Sequence, residues 1–276
     1  MARKHRWLRI SLRSLLVATL IIAVGFAWMT NYAKSRRAAF AAIREAGGQI
    51  QMANVPKTVI AERLESWLGP ELFGDAYKVD LRKSKANNDL LKHVAVLREL
   101  RALDLSYTSV GDAGLPAIAH LPLQELWLQS TTVTDRSAAT LSRIRSLEFL
   151  ALNATSLTDH FLEDLQSLPD LRNLGLRGSK VTGAGMQFLS RHPRLEKLDV
   201  YSTEVDDAGV EGLIGSKSIT DLGLSMTKVS NQVFTHLDKL PNLSRADLSA
   251  NSLVSTEMVL AFEKSHPRCD IEWYGQ

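Results

Sequence analysis

The most constraining feature of this chain is a motif that returns at a fixed spacing. Taking Leu147 as position 0, leucines follow at +3 (Leu150) and +5 (Leu152), then Thr155 at +8, Leu157 at +10 and Asp159 at +12. Leu162, Leu165 and Leu168 then occupy +15, +18 and +21. The template recurs every 24 residues from Leu171, Leu195, Ile219 and Leu243. Backwards it recurs from Leu123 and, one residue short of the period, from Leu100. A degenerate copy begins at Ala76, giving eight tandem copies over residues 76–265.

Leucines two apart between polar neighbours predict a short strand with one buried face. Apolar residues at +15, +18 and +21 predict a helical turn with one buried side. Each copy is therefore a strand, a bend and a helix. A single unit cannot bury its apolar face, but stacked units share one core. Strands joined by helices give a parallel sheet on the concave face and helices on the convex face of an α/β solenoid.

Two polar columns fix the register. Position +8 reads Ser84, Thr108, Thr131, Thr155, Ser179, Thr203, Thr227 and Asn251. These short polar groups are expected to face inward and satisfy backbone groups left unpaired where the chain turns. Position +12 reads Asn88, Asp112, Asp135, Asp159, Gly183, Asp207, Asn231 and Ser255, all helix N-cap types.

The pattern in "LRALDLSYTSVGD" (100–112) and "LEKLDVYSTEVDD" (195–207) resembles a leucine-rich repeat. Its long helical half is similar to the ribonuclease-inhibitor-like group, and threonine at +8 resembles a variant of bacterial repeat proteins. With its basic N-terminus and single apolar span, the whole chain resembles bacterial single-pass membrane proteins that carry such a domain. The resemblance implies fold strongly and ligand weakly, because inhibitors, receptors and scaffolds share the repeat.

Residues 1–13 contain Arg3, Lys4, Arg6, Arg9 and Arg13, and Leu15–Met29 is an uncharged apolar run of 15 residues. A spanning helix takes roughly 20 residues and a signal-peptide core about 7–15, so the flanks decide. Trp7, Trp28 and Tyr32 stand where interfacial aromatics are expected. Basic residues directly after the run disfavour cleavage, so residues 14–47 are read as a transmembrane helix with a helical extension. Cleavage after Ala27 and a buried soluble helix are the other readings. Five bases precede the span against Lys34, Arg36 and Arg37 just after it. The positive-inside rule then favours a cytoplasmic N-terminus with the repeats exported, and the resemblance implies that the membrane is a bacterial inner membrane.

Charge follows the same division. Nine of the 33 basic residues lie in the first 44, which hold no acid; the remaining 24 face all 30 acids. An acidic body offers no footprint for nucleic acid. Residues 48–75 are expected to cap the solenoid, with a strand near Ile50 and Met52 and a helix from Pro56 to about Leu68. Residues 266–276 are expected to close the far end as a strand, with Cys269 in the core.

No sequence pattern of a metalloprotease, P-loop, redox pair or nucleophile elbow occurs, so neither catalytic residues, cofactor nor metal is expected. His120, His192 and His236 are expected on the convex surface. The outward columns +2, +4 and +6 gather Trp127, Gln129, Phe149, Asn153, Arg177, Lys197, Asp199 and Tyr201 on neighbouring strands, beside the small Ala151 and Gly175. Aromatics and arginine are the residue types enriched in binding hot spots. This patch is the candidate site for a protein, peptide or glycan partner. A secreted inhibitor-like protein and a hydrolase with an unrecognised site are the alternatives.

Overall fold

A computed structural model describes residues 12–53, 74–165, 168–190 and 192–274. The helix expected from Pro56 to Leu68 lies outside the described residues. The chain opens with a helix of 34 residues, α1 (Leu12–Glu45), followed by β1 (Gln49–Met52) and β2 (Ala76–Asp80). Eight further three-residue strands follow: β3 (Ala102–Asp104), β4 (Glu125–Trp127), β5 (Phe149–Ala151), β6 (Asn173–Gly175), β7 (Lys197–Asp199), β8 (Asp221–Gly223), β9 (Arg245–Asp247) and β10 (Asp270–Glu272). They form one sheet of ten strands in sequence order. From β2 onward neighbours pair in parallel, while β1 runs antiparallel and covers the otherwise free edge of β2.

The strands occupy positions +2 to +4 of the template, and equal positions of successive copies pair, as Leu126 with Leu150 and Leu150 with Leu174. The +3 leucines are at most 2% exposed and the +5 residues 0% exposed from Leu105 to Leu224. The second strand face is open. Helices connect the strands on the buried side: α2 (Leu90–Val94), α3 (Ala138–Leu141), α4 (Asp159–Asp164), α5 (Gly183–Leu189), α6 (Asp207–Glu211), α7 (Val233–Leu237) and α8 (Thr256–Ser265). The helical turns are shorter than the apolar spacing predicts. Leu162, Leu165 and Leu168 are all buried, yet α4 ends at Asp164 and Leu165 is its C-cap. A coil of 24 residues leaves room for about two turns before the chain must return to the sheet.

The +8 column faces inward as expected. Thr108, Thr131, Thr155, Thr203 and Thr227 each donate Oγ1–H to the carbonyl three residues earlier, at 2.5–2.7 Å. Those carbonyls belong to the inward +5 residues and have lost their strand partner at the bend. Ser179 is the exception: its buried Oγ has no partner among the described residues. The bend itself comes one residue earlier. Every +7 residue has positive φ, from 51° at Ser130 to 61° at Gly178, and only one of the eight is glycine. A left-handed residue costs roughly 1–2 kcal/mol when it carries a Cβ. The ladder holds it there, since Tyr107, Ser130 and Ala154 donate their N–H to carbonyls of the next copy.

The +12 column does something other than cap its own helix. Thr134, Thr158 and Thr182 at +11 and Asp206 at +11 are the caps. The +12 carboxylate reaches forward instead. Asp135 accepts the N–H of Thr158 at 2.8 Å and its Oγ1–H at 2.6 Å. Asp112 does the same with Thr134, Asp159 with Thr182 and Asp207 with Ser230. The expectation failed because it placed the helix start one residue late, and so missed that the acid straps one coil to the next. Ser255 alone keeps the capping role, accepting from Met258. Where +12 is Gly183, the strap is absent and a Cβ would stand 2.3 Å from Asp206 Oδ1.

Asp135→Ala removes a charge-assisted pair of bonds at a half-buried site and is expected to cost about 2–3 kcal/mol. Asp135→Asn keeps the acceptor for Thr158 N–H, as Asn231 does for Ser255, and is expected to cost about 1 kcal/mol. Urea midpoints of the two variants check this; equal losses would mean that the strap contributes only packing.

The two halves of α1 differ. Leu15–Trp28 is solvent-exposed, with Leu20, Ile21, Ile22 and Phe26 at 63–70%. This is the one helix among the described residues long and apolar enough to cross a membrane. The second half packs on the first coil, burying Arg36, Ala39, Phe40 and Ile43. The Arg36 guanidinium donates to Glu99, to the Gly74 carbonyl at 2.6 Å and to Tyr32 Oη at 3.2 Å. At the other end β10 pairs with β9, and Cys269 and Ile271 are buried beneath it. Burial pushes the Cys269 thiol up to about 11.

Candidate functional site

The open face of the sheet holds the eight residues singled out from the sequence, arranged as two groups rather than one. In the first, Trp127 and Phe149 pack with ring centroids 5.0 Å apart at 43°. They stand diagonally on β4 and β5, where the register pairs Trp127 with Ala151 and Glu125 with Phe149. Lys78 on β2 brings its Nζ to 4.9 Å from the Trp127 ring centroid, a cation–π distance. Gln129 turns the other way and donates to Tyr107 Oη at 2.6 Å.

In the second group Arg177 forms an ion pair with Asp199 and lies 5.5 Å from the centroid of Tyr201. Asp199 also accepts the Tyr201 N–H at 3.1 Å. Asn153 Oδ1 accepts the Arg177 N–H at 2.9 Å. The small residues of the +4 column make this possible. A Cβ on Gly175 would come within 2.8 Å of Asn153 Oδ1, and one on Gly223 within 2.9 Å of Asp199 Oδ1. The glycines therefore let polar side chains lean across the next strand.

Between the groups lies a depression of about 360 Å³, lined by Phe149, Ala151, Gly175, Arg177, Lys197 and Asp199 and extending to Arg245 and Asp247. It offers cations and carboxylates side by side with one aromatic wall. Lys78, Tyr107, Arg245 and Asp247 were missed in the sequence. Lys78, Arg245 and Asp247 belong to the same outward columns nearer the two ends, whereas Tyr107 stands at +7, where the left-handed bend turns its side chain onto the open face. Not every +6 residue is outward, since Ser106 and Ser225 are buried.

The histidines divide. His120 is exposed and reaches the Ala95 carbonyl at 3.1 Å, and His236 is half-buried. His192 is 2% exposed, contrary to the expected surface position. It stands at +21, where five of the other seven copies place Leu97, Leu121, Ile144, Leu168 and Leu240 and the remaining two Ser216 and Lys264, and that mostly apolar column is the signal that reveals its burial. Desolvation holds its pKa below the ordinary imidazole value, against an opposing pull from the Leu165 and Leu168 carbonyls. Neither carbonyl completes a hydrogen bond of normal geometry with the ring. Among the described residues no group of three or more His, Cys, Asp or Glu side chains is placed to hold a metal ion.

A leucine-rich-repeat family model matches residues 97–119, which run from the end of the first copy through the second. The solved structure of internalin C2 from Listeria monocytogenes superposes with a TM-score of 0.51 at 16% identity, covering 78% of this chain and 92% of that one. The fold is a leucine-rich-repeat solenoid. No curated protein matches the chain at a significant level. At this identity the likeness concerns the solenoid's architecture alone. The open sheet face, the strapped coils and the docked first helix are features of this solenoid's own residues.

Proposed function

We propose that this leucine-rich-repeat solenoid binds a protein or peptide partner on its concave sheet face while the apolar half of α1 holds it in a bacterial membrane, with the repeats outside the cytoplasm. The observation that carries the reading is the pair of aromatic and charged groups around the depression. The Trp127–Phe149 pair presents apolar surface on a strand face that no other element among the described residues covers. Arg177, Lys197, Asp199 and Asp247 next to it offer both charge signs, which suits an extended peptide with its own donors and acceptors. The reading is non-catalytic: rigid coils present a preformed surface, and the anchor supplies location.

Trp127→Ala combined with Tyr201→Ala is expected to weaken partner binding by at least tenfold, since each hot-spot truncation costs on the order of 1–2 kcal/mol or more. Affinity enrichment from envelope extracts, followed by titration of the recovered partner against both proteins, reads this directly. Equal affinities for wild type and double variant would remove the patch from consideration. Cleavage after Ala27 would leave Arg36, Ala39, Phe40 and Ile43 docked on the solenoid, so a secreted binder is the second reading. The N-terminal sequence of the mature protein separates the two.

A further inference from the structure

The docked half of α1 fixes which rim of the solenoid lies nearest the apolar half. Trp28, Asn31, Tyr32 and Ser35 line one cleft with Ala95, Val96, Arg98 and His120, the residues where the first two coils turn from helix back to strand. Trp28 stacks on Tyr32 with ring centroids 5.5 Å apart, an arrangement suited to a headgroup region. From Trp28 to Arg36 the helix climbs only about 12 Å. If Leu15–Met29 spans a bilayer, the part of this rim in the first two coils therefore lies at its surface.

The rim is basic in a particular way. Its acids are engaged: Glu99 with Arg36, Asp170 with Arg194, Glu148 and Glu196 with Arg172, and Asp238 with His266. Its remaining cations are not. Arg98, Arg101, Arg143, Arg145, Lys217 and Lys239 are all exposed, and among the described residues none has a carboxylate partner. They recur along the rim from the first coil to the seventh. The opposite, strand-to-helix rim carries the +12 carboxylates with Glu204 and Asp206. Lys85, Arg136 and Lys180 are exposed among those carboxylates, so the larger share of the unpaired rim cations, six against three, stands on the side on which α1 emerges.

We infer that this rim rests on the membrane surface and binds anionic lipid headgroups, so that anchor and rim together hold the solenoid on its side with the sheet face turned laterally. The inference rests on the membrane-anchor reading above. Two contacts, one apolar and one electrostatic, fix an orientation that a single helix would leave free to swing. Each basic residue near an acidic surface shifts the docked-to-lifted equilibrium by roughly fivefold, and the effect dies away within about a Debye length.

The test uses full-length protein in vesicles of phosphatidylcholine, with or without phosphatidylglycerol, doped with a nitroxide-headgroup lipid. A fluorophore is placed at Gln124→Cys on the rim or at Ser156→Cys on the opposite rim of the next coil, roughly 20 Å away. Cys269 stays unlabelled because it is buried, and that burial pushes its thiol up to about 11. The expected result is strong quenching at residue 124 and weak quenching at 156 in acidic vesicles. At residue 124 it should fall in 1 M salt and in the R143Q/R145Q/K217Q/K239Q variant, whose changes are all at exposed sites. Equal quenching at both sites in protein that co-floats with the vesicles would overturn the rim while leaving the anchor standing. Protein that stays in the soluble fraction even with acidic vesicles would overturn both.

Discussion

Glu99→Ala is expected to cost about 3 kcal/mol and to release α1 from the first coil before the rest of the solenoid unfolds. Glu99 is the carboxylate facing Arg36, whose side chain is 3% exposed while its own is 19% exposed. Removing one partner of a buried ion pair typically costs about 3–5 kcal/mol, because the other charge stays desolvated. The partial exposure of Glu99 puts the value at the lower end. Glu99 also accepts weakly from Ala76 N–H at the start of β2, so its loss loosens strand and helix together. In a stacked array each coil is supported only by its neighbours, so damage at the end frays the end. Hydrogen exchange should rise in the second half of α1 and in β1 and β2 while β5–β8 stay protected. Arg36→Met with Glu99→Leu should recover most of the loss, since an apolar pair of similar volume avoids the desolvation cost. Unchanged exchange in α1 after Glu99→Ala would show that Phe40 and Ile43 alone hold the helix in place.

Phe161→Ala is expected to cost about 3–5 kcal/mol and to divide the unfolding transition. Phe161 is the largest fully buried side chain among the described residues, 0% exposed on α4, in the fourth of the eight coils. No neighbouring coil fills the space from the same column, where Ser137 and Gly185 stand on either side. The cavity therefore cannot be closed by a small shift. Because coupling runs only between adjacent coils, a weak middle coil separates the array into two parts that unfold independently. The urea transition should move to lower denaturant and broaden or split. A single transition of unchanged slope would show that the coils couple over more than one neighbour.

What these variants probe was legible to different degrees. The +3 and +5 leucines were plain in the sequence because burial of one strand face every 24 residues writes itself as an apolar period. The inward +8 threonines were legible for the same reason. The patch residues were legible as columns, since a parallel register stacks equal template positions, but their division into two groups was not. It depends on Gly175 and Gly223 letting Asn153 and Asp199 lean across, a matter of tenths of an ångström between backbones. The Asp straps were misread because a column of Asp before a helix has the same composition whether it caps its own coil or holds the next. The buried His192 was legible only by trusting the column over the residue type.

The sequence by itself determined that this chain is a stack of eight coils with a parallel sheet, one covered face and one open one, and a long apolar helix at its head. These are consequences of periodicity, and periodicity is a local property that residue order carries. The tertiary structure alone decided where the coils bend, since all eight +7 residues are left-handed while only Gly178 advertises it. There the ladder to the next coil outweighs the local preference of Lys83, Tyr107 or Met226. It also decided that the end of α1 is part of the solenoid: nothing in the order of residues says that Arg36 meets Glu99, 63 positions away. Such contacts are set by closure of the stack, which no single stretch of the chain contains.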